Sequence, residues 1–315
     1  MVGKLKIFSG NANVPLAKKI CRHAGVRLAR REIIRFSNEN IKVKILESVR
    51  GKDVFVVQPS CPPVNEGFME LLIMIDAIRH ASAARITAVT PYYPYVRSDK
   101  KDEPRISITA RLVADLLEAA GADRVMAMNL HNPQIQGFFR IPMDHLLAGK
   151  RLCEFFGREG TENSVVVAPD SGSAKHAKYY AATLGLPMAI MDKRRGDDSE
   201  QPSVHNVIGD VKGKRAIIFD DEIASGGSLV EVARALRNLG VCDIQACCVH
   251  GVLSGTAIDR LTESPVSRLV VTDTVFIPDH KRVPKLHVIS IAELMAKAIV
   301  FTNQGKSISG LYDRY

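Results

Sequence analysis

The sequence predicts an α/β fold, and two observations lead to that prediction. Short apolar runs rich in valine and isoleucine, such as 53–57, 85–89 and 164–168, are typical of strands buried on both faces. Longer stretches with helical periodicity, such as 66–80 and 108–120, lie between the strands. Strands that alternate with helices need crossover connections, so we expect mainly parallel sheets flanked by helices.

A sequence pattern that occurs twice, together with the chain length, predicts two similar domains. The 315 residues correspond to about two domains of usual size. Gly121 closes a helix and is followed by a strand that runs into His131, and Gly240 and His250 repeat this pattern with the same spacing. We expect domains at 1–146 and 147–299, with the C-terminal 300–315 packing back on the first.

Composition excludes several classes of protein. The chain is 46% apolar and 24% charged, which is typical of a globular protein. It has no run of about 18 apolar residues and no secretory h-region near its start, so we expect no membrane partner. The six cysteines form no C-x-x-C pair, which predicts reduced thiols and a cytoplasmic location.

The net charge of +9 is concentrated in the first fifty residues, which hold twelve Lys and Arg against three Asp and Glu. A basic segment of this kind can bind nucleic acid, an anionic metabolite or an acidic neighbouring subunit. A solvated surface is the simpler interpretation and is favoured by the charge alone.

The most specific motif joins a predicted strand to a predicted helix between residues 215 and 229. The strand delivers Asp220 and Asp221, and the small residues Ala224–Ser228 follow. Small residues allow backbone amides to surround a phosphate at the N-terminus of the next helix, and the carboxylates can accept hydrogen bonds from the hydroxyls of a sugar. A plain structural turn is the alternative. Walker and Rossmann glycine motifs are absent from the sequence.

Three further segments have the residue types of a nucleotide site. The loop at 91–105 combines tyrosines with arginines and lysines, which suits a base and its phosphates. His131 and Asp170 follow predicted strands and are candidate Mg²⁺ ligands. The basic segment at 192–198 can neutralise charge on a transferring phosphoryl group. Solvated loops and a structural histidine are the alternatives at these positions.

Together these segments resemble the ribose-phosphate pyrophosphokinase family over essentially the whole chain. The resemblance implies two similar phosphoribosyltransferase-like domains, an N-terminal one for ATP and a C-terminal one for ribose 5-phosphate. It also implies transfer of pyrophosphate from Mg-ATP to the anomeric hydroxyl of ribose 5-phosphate, giving phosphoribosyl pyrophosphate and AMP for nucleotide biosynthesis. Mg²⁺ is the implied cofactor, a homohexamer the implied assembly, and phosphate and ADP the implied effectors.

The resemblance also implies roles for individual residues. The catalytic cations are Lys193 and Arg195. The ATP-binding positions are Phe36, Asn38, Glu39, Asn40, Arg97, Ser98 and Asp99. The ribose 5-phosphate positions are Arg195, Asp220, Asp221, Ala224, Ser225, Gly226, Gly227 and Ser228. The metal pair is His131 and Asp170. The regulatory positions are Ser48, Arg50, Ser82, Arg105, Ser307 and Ser309.

Three residues depart from the family pattern. Asn40 stands where the family usually has Glu, Ser98 replaces Gln, and Ala224 replaces Asp. These departures bear on nucleotide selectivity and sugar affinity. Two other functions stay open: a phosphoribosyltransferase that consumes phosphoribosyl pyrophosphate, and a catalytically silent regulatory member. A nucleic-acid binder, which would bind through the basic N-terminus, is disfavoured, and we expect no nucleic-acid partner.

Overall fold

A computed structural model describes residues 3–193 and 205–311. Its contacts divide the chain into two compact units. The first unit contains residues 3–147 together with 274–276 and 290–311. The second contains the described residues of 148–273 and 277–289. The division into two domains between residues 146 and 147, with residues 300–315 packing on the first domain, stays a prediction.

The elements alternate between strand and helix along most of the chain. The strands are β1 (Leu5–Ser9), β2 (Arg31–Arg35), β3 (Ile41–Ile45), β4 (Asp53–Val57), β5 (Arg85–Thr90), β6 (Arg124–Met128), β7 (Met143–Leu146), β8 (Ser164–Ala168), β9 (Met188–Lys193), β10 (His205–Ile208), β11 (Arg215–Ile223), β12 (Asp243–Gly251), β13 (Arg268–Thr272) and β14 (Leu286–Ile289). The helices are α1 (Val14–His23), α2 (Val64–His80), α3 (Thr109–Ala120), α4 (Gly149–Glu159), α5 (Ala174–Leu184), α6 (Gly227–Asn238), α7 (Ala257–Glu263) and α8 (Ala292–Asn303).

Each unit is built on one mainly parallel sheet. The first has the strand order β1-β4-β5-β6-β7, all parallel. The second has the order β10-β9-β8-β11-β12-β13-β14, in which only β10 is antiparallel to its neighbour. A separate antiparallel hairpin, β2–β3, belongs to the first unit. The predicted α/β class with parallel sheets flanked by helices is confirmed.

The core of each unit lies between its sheet and the helices. β4 and β8 are buried along their whole length, as expected for parallel strands covered on both faces. In the second unit the rings of Tyr180 and Phe219 stack with their centroids 4.0 Å apart, which fastens α5 to β11. The six cysteines are free thiols. In the described part of the chain no helix has the length and apolar character needed to cross a membrane.

The last helix, α8, is tied to the first unit by a buried ion pair. Asp53, at the start of β4, accepts hydrogen bonds from Arg85 Nε at 2.8 Å and from Arg85 Nη2 at 2.6 Å. Asn303 Nδ2 donates to the same carboxylate at 2.8 Å, and Arg85 Nη2 donates to the carbonyl of Thr302 at 3.1 Å. The side chain of Asp53 is fully buried, so these donors supply the partners that a buried carboxylate needs.

The parallel arrangement determines where functional groups gather. All parallel strands of one sheet end at the same edge, and the loops that follow them lie next to each other. In the second unit these loops follow β8, β11 and β12, and in the first they follow β5 and β6. These loops contain the predicted residues Arg97, Ser98, Asp99, Arg105, His131, Asp170 and Ala224–Gly226.

Candidate functional site

The junction between β11 and α6 has the structure that its sequence predicts. β11 is buried up to Phe219, and Asp220 and Asp221 near its carboxyl end are half-buried. Residues 224–228, called the phosphate loop below, then lead into the first turn of α6. Gly226 has φ +73°, a left-handed conformation that favours glycine and turns the chain into the helix. The first amides of α6 have no intrahelical acceptor and are suited to an anion.

The two adjacent aspartates share one electrostatic environment. The amide of Asp221 donates to Asp220 Oδ1 at 2.8 Å. Burial, followed by the hydrogen bond and the charge of the Asp221 side chain, raises the pKa of Asp220 well above its usual range. Two carboxylates this close resist double ionisation, so the pair attracts a cation or hydrogen-bond donors such as sugar hydroxyls.

We expect Asp220→Asn to raise the free energy of unfolding. The carboxyl ionises near pH 4 in the unfolded chain, but its pKa is raised in the folded chain. Ionisation of Asp220 therefore lowers the free energy of unfolding by its full amount at pH values above the pKa of the folded state. This loss disappears as the pH falls toward the pKa of the unfolded state. The gain from asparagine, on the order of 1 kcal/mol, is largest at alkaline pH and shrinks in acid. Urea unfolding of metal-free protein between pH 4 and 9 measures it.

Asp210→Asn is the matched control for this prediction. The pKa of Asp210 is lowered by its hydrogen bond and ion pair with Lys214. Removal of that carboxylate should give a small change of the opposite sign, because a charge with a partner is lost. A gain for Asp220→Asn that is independent of pH would contradict the electrostatic explanation.

Two more predicted residues lie at the same edge of the second sheet. Asp170 follows β8, is exposed, and accepts through Oδ1 from the amide of Ser173 at 2.8 Å and its hydroxyl at 2.9 Å. Lys193 is the last residue of β9. Because β8 lies between β9 and β11, the backbones of Asp170, Lys193 and Asp220 are at neighbouring strand ends. Arg195 lies outside the described residues.

The loop after β5 holds the predicted ATP residues of the first unit. Tyr93 is buried, and its hydroxyl donates to the carbonyl of Ala110 at 3.0 Å, which anchors the loop to α3. The amide of Ser98 donates to the carbonyl of Tyr95 at 2.9 Å. Arg97 is exposed, and Ser98 and Asp99 are half-buried. The loop therefore presents a guanidinium at the surface of the first unit from a fixed backbone.

The remaining ATP residues form the tip of the β2–β3 hairpin. The amide of Phe36 donates to the carbonyl of Asn40 at 2.9 Å, and Glu39 has φ +68°. Asn38 Oδ1 accepts from the amide of Asn40 at 3.2 Å. Phe36 is 47% exposed, an unusual position for an aromatic ring at a hairpin tip. An exposed ring on a fixed turn is suited to stack on a nucleotide base.

The two predicted metal ligands belong to different units. His131 is exposed and follows β6 in the first unit, whereas Asp170 is in the second. Within residues 3–193 and 205–311 no three His, Cys, Asp or Glu side chains form a metal-binding group. Mg²⁺ binds in proteins through one or two carboxylates together with substrate phosphates and waters. Asp170 supplies one exposed carboxylate of this kind at the edge of the second sheet.

The predicted regulatory residues all lie in the first unit. The amide of Gly51 donates to the carbonyl of Ser82 at 2.9 Å, so the turn with Ser48 and Arg50 lies beside Ser82. The hydroxyls of Ser307 and Ser309 are 2.7 Å apart. The last regulatory position, Arg105, is exposed in the loop after β5 and has φ +67°.

One part of the site was missed by the sequence analysis. The amides of Val252 and Leu253 donate to the carbonyl of Ile223 at 3.0 and 3.1 Å, and the amide of Ser254 donates to that of Ala224 at 2.9 Å. These backbone contacts join the loop after β12 to the phosphate loop. The only sequence signal is the run of small residues at 254–257, which by itself indicates no more than a turn.

The fold and the phosphate loop place the molecule in a class. It is an α/β protein with mainly parallel sheets, in which a strand carrying an acid pair leads through a glycine-containing loop into a helix. Comparison with known proteins makes the assignment narrower. The profile of the N-terminal domain of ribose phosphate pyrophosphokinase matches residues 5–121, and that of the phosphoribosyl synthetase-associated domain matches residues 197–313.

Relatives match the chain over nearly its whole length. It is 53% identical to the ribose-phosphate pyrophosphokinase of Caldanaerobacter subterraneus subsp. tengcongensis, over 98% of both chains. It is 47% identical to that of Clostridium perfringens, over 98% of this chain and 97% of the relative. The crystal structure of phosphoribosylpyrophosphate synthetase from Mycobacterium smegmatis superposes with a TM-score of 0.91 at 43% identity, covering 96% of this chain and 99% of that one. The chain belongs to the ribose-phosphate pyrophosphokinase family.

Proposed function

We propose that the protein transfers pyrophosphate from Mg-ATP to the anomeric hydroxyl of ribose 5-phosphate. The products are 5-phosphoribosyl 1-pyrophosphate, which serves nucleotide biosynthesis, and AMP. The observation that carries the proposal is the half-buried Asp220–Asp221 pair, followed after two intervening residues by the phosphate loop and α6. This arrangement suits a sugar phosphate, and membership of the family supports the reaction.

Ribose 5-phosphate binds at the carboxyl end of β11 in this proposal. The amides of the phosphate loop, residues 224–228, and the positive end of the α6 dipole hold the 5-phosphate. Asp220 and Asp221 accept hydrogen bonds from the ring hydroxyls. Ala224 supplies an amide and no carboxylate, so the loop itself adds no negative charge beside the phosphate. Arg195 is assigned to the same substrate from the family pattern.

ATP binds to the first unit in this proposal. The resemblance implies that the adenine contacts come from the hairpin of a neighbouring subunit. There the ring of Phe36 stacks on the adenine, and Asn38, Glu39 and Asn40 contact its edge or the ribose. Arg97, Ser98 and Asp99 bind the triphosphate and its metal, with the guanidinium of Arg97 on a phosphate. Asn40 and Ser98 are neutral hydrogen-bonding groups, so nucleotide selection at these positions rests on hydrogen bonds.

The transfer step breaks one P–O bond and forms another. The O1 oxygen of ribose 5-phosphate attacks the β-phosphorus, the bond from that phosphorus to the bridging oxygen breaks, and AMP leaves with the electron pair. The O1 proton is released to solvent. Lys193 and Arg195 neutralise the charge that develops on the phosphoryl oxygens. From the family pattern, His131, Asp170 and the phosphates would hold Mg²⁺, which would supply further charge neutralisation.

The proposal extends to assembly and regulation. The family pattern supports a cytoplasmic homohexamer that responds to phosphate and ADP at Ser48, Arg50, Ser82, Arg105, Ser307 and Ser309. The contact of the Gly51 turn with Ser82 and the pairing of the Ser307 and Ser309 hydroxyls bring members of this set together, which supports their assignment to one regulatory site. Sedimentation with and without phosphate measures the assembly, and a strictly monomeric active species would contradict it.

A coupled assay tests the reaction. Protein, ATP, ribose 5-phosphate and Mg²⁺ should give AMP and phosphoribosyl pyrophosphate in a ratio of one to one, and a chelator should stop the reaction. ADP as product, or no turnover, would refute the proposal. Release of pyrophosphate from phosphoribosyl pyrophosphate when a nucleobase is supplied would identify a phosphoribosyltransferase instead. Absence of turnover until a second family member is added would identify a silent regulatory chain.

A further inference from the structure

The loop after β12 and the start of α7 support the phosphate loop from one side. Val252 and Leu253 donate their amides to the carbonyl of Ile223, and Ser254 donates to that of Ala224, at 2.9–3.1 Å. Arg260 Nη1 donates to the next carbonyl, that of Ser225, at 3.3 Å. Residues 252–260, called the supporting segment below, thus supply donors to three successive carbonyls.

The supporting segment is held in an uncommon conformation. Leu253 has φ +49°, which a bulky side chain rarely adopts, and it is almost completely buried. This conformation turns the amides on either side of it toward the end of β11. Ala257 is also buried, and a Cβ added at Gly226 would lie 3.8 Å from its carbonyl oxygen. Such backbone strain persists only where the surrounding structure fixes it.

Hydrogen bonds to these carbonyls decide where the loop amides point. In a trans peptide the carbonyl and the following amide point in opposite directions, and the bonds from 223 to 226 are trans. Because the carbonyls of Ile223, Ala224 and Ser225 face the supporting segment, the amides of Ala224, Ser225 and Gly226 face away from it. Within the described parts of the chain no backbone carbonyl accepts from these amides. They are therefore presented together to an external anion.

Arg260 makes the only side-chain contact among the three, within the described residues. Its guanidinium also lies beside Gly227, where an added Cβ would come within 3.4 Å of Nη1. We propose that Arg260 is a positioning residue for ribose 5-phosphate: it fixes the Ser225 carbonyl and thereby aims the loop amides at the 5-phosphate. This inference rests on the proposed function for the identity of the anion. Arg260 itself touches the loop and not the reacting atoms.

The test replaces Arg260 by methionine, which keeps an unbranched apolar stem and removes the guanidinium donors. The KM for ribose 5-phosphate should rise about three- to tenfold, as expected for one lost hydrogen bond near a charged ligand. The kcat and the KM for ATP should stay within twofold, because the interaction contributes equally to the ground state and the transition state. Arg260→Lys, which retains the charge and one donor group, should give an intermediate KM.

Arg234→Met is the matched control, since Arg234 is an exposed arginine on α6 away from the phosphate loop. An unchanged KM for ribose 5-phosphate in Arg260→Met, or an equal rise in Arg234→Met, would overturn the inference. Calorimetric titration of ribose 5-phosphate into each protein tests it without turnover. If the wild-type protein binds ribose 5-phosphate but forms no AMP, the proposed function fails. In that case the ratio of the ribose 5-phosphate affinities of the wild-type and Arg260→Met proteins still decides the role of Arg260.

Discussion

Replacement of Lys193 by alanine is expected to lower kcat by about 10²–10³, by analogy with loss of one donor to a developing oxyanion. Lys193 ends β9, and its backbone lies at the same sheet edge as Asp170 and Asp220. The attack of a sugar oxygen on a phosphorus needs little covalent help from the protein, so charge neutralisation carries much of the rate. The coupled AMP assay at saturating substrates measures the loss.

The comparison of kcat with KM separates this role from simple binding. A cation that acts on the transition state changes kcat, whereas one that only binds substrate changes KM. Lys178→Ala, on the exposed surface of α5, is the control and should keep full activity. A Lys193→Ala protein with wild-type kcat would remove Lys193 from the proposed mechanism, whatever the behaviour of Arg195.

The second large effect is expected at Asp53. Asp53→Ala should lower the free energy of unfolding of the first unit by about 3–5 kcal/mol, since one partner of a buried ion pair is removed. Arg85 would then lose a carboxylate that binds it through two nitrogens, and Asn303 would lose its acceptor. Denaturant unfolding followed by tyrosine fluorescence and circular dichroism measures the change.

A surface ion pair gives the scale for this prediction. Arg111 and Asp115 are four residues apart on α3 and both are exposed, so Asp115→Ala should change stability by less than about 1 kcal/mol. The double variant Asp53→Ala/Arg85→Met should recover part of the loss, because no unpaired buried charge is left. If Asp53→Ala and Asp115→Ala lowered the free energy of unfolding equally, the buried ion pair would stabilise the protein no more than a surface pair does.

Much of the fold was predictable because parallel strands give a strong sequence signal. The runs at 53–57 and 164–168 coincide with β4 and β8, and the stretch at 108–120 matches α3 to within one residue. These strands are apolar on both faces, so the runs are continuous and stand out from their surroundings. The β2–β3 hairpin was not predicted, because its alternating charged and apolar residues are half exposed and resemble a basic solvated segment.

The site was predictable where its chemistry is carried by side chains next to one another in sequence. The acid pair and the small residues lie within nine consecutive positions, 220–228, so the strand, loop and helix were visible as a pattern. The supporting segment was not visible in the sequence. It contacts the phosphate loop mainly through its backbone amides, and it lies about thirty residues further along the chain. The raised pKa of Asp220 also depends on burial, which no local pattern of residues records.

The return of α8 to the first unit has a consequence for biosynthesis. Asn303, Ile299 and Met295 are buried, and Asn303 binds Asp53, which the ribosome makes about 250 residues earlier. The first unit therefore lacks the helix that packs against α1 until residues 292–303 have been made. Nearly all residues of the second unit precede α8 in the chain, so they are available for folding before that moment. A nascent chain that is stalled shortly before α8 should bind chaperones through its N-terminal half.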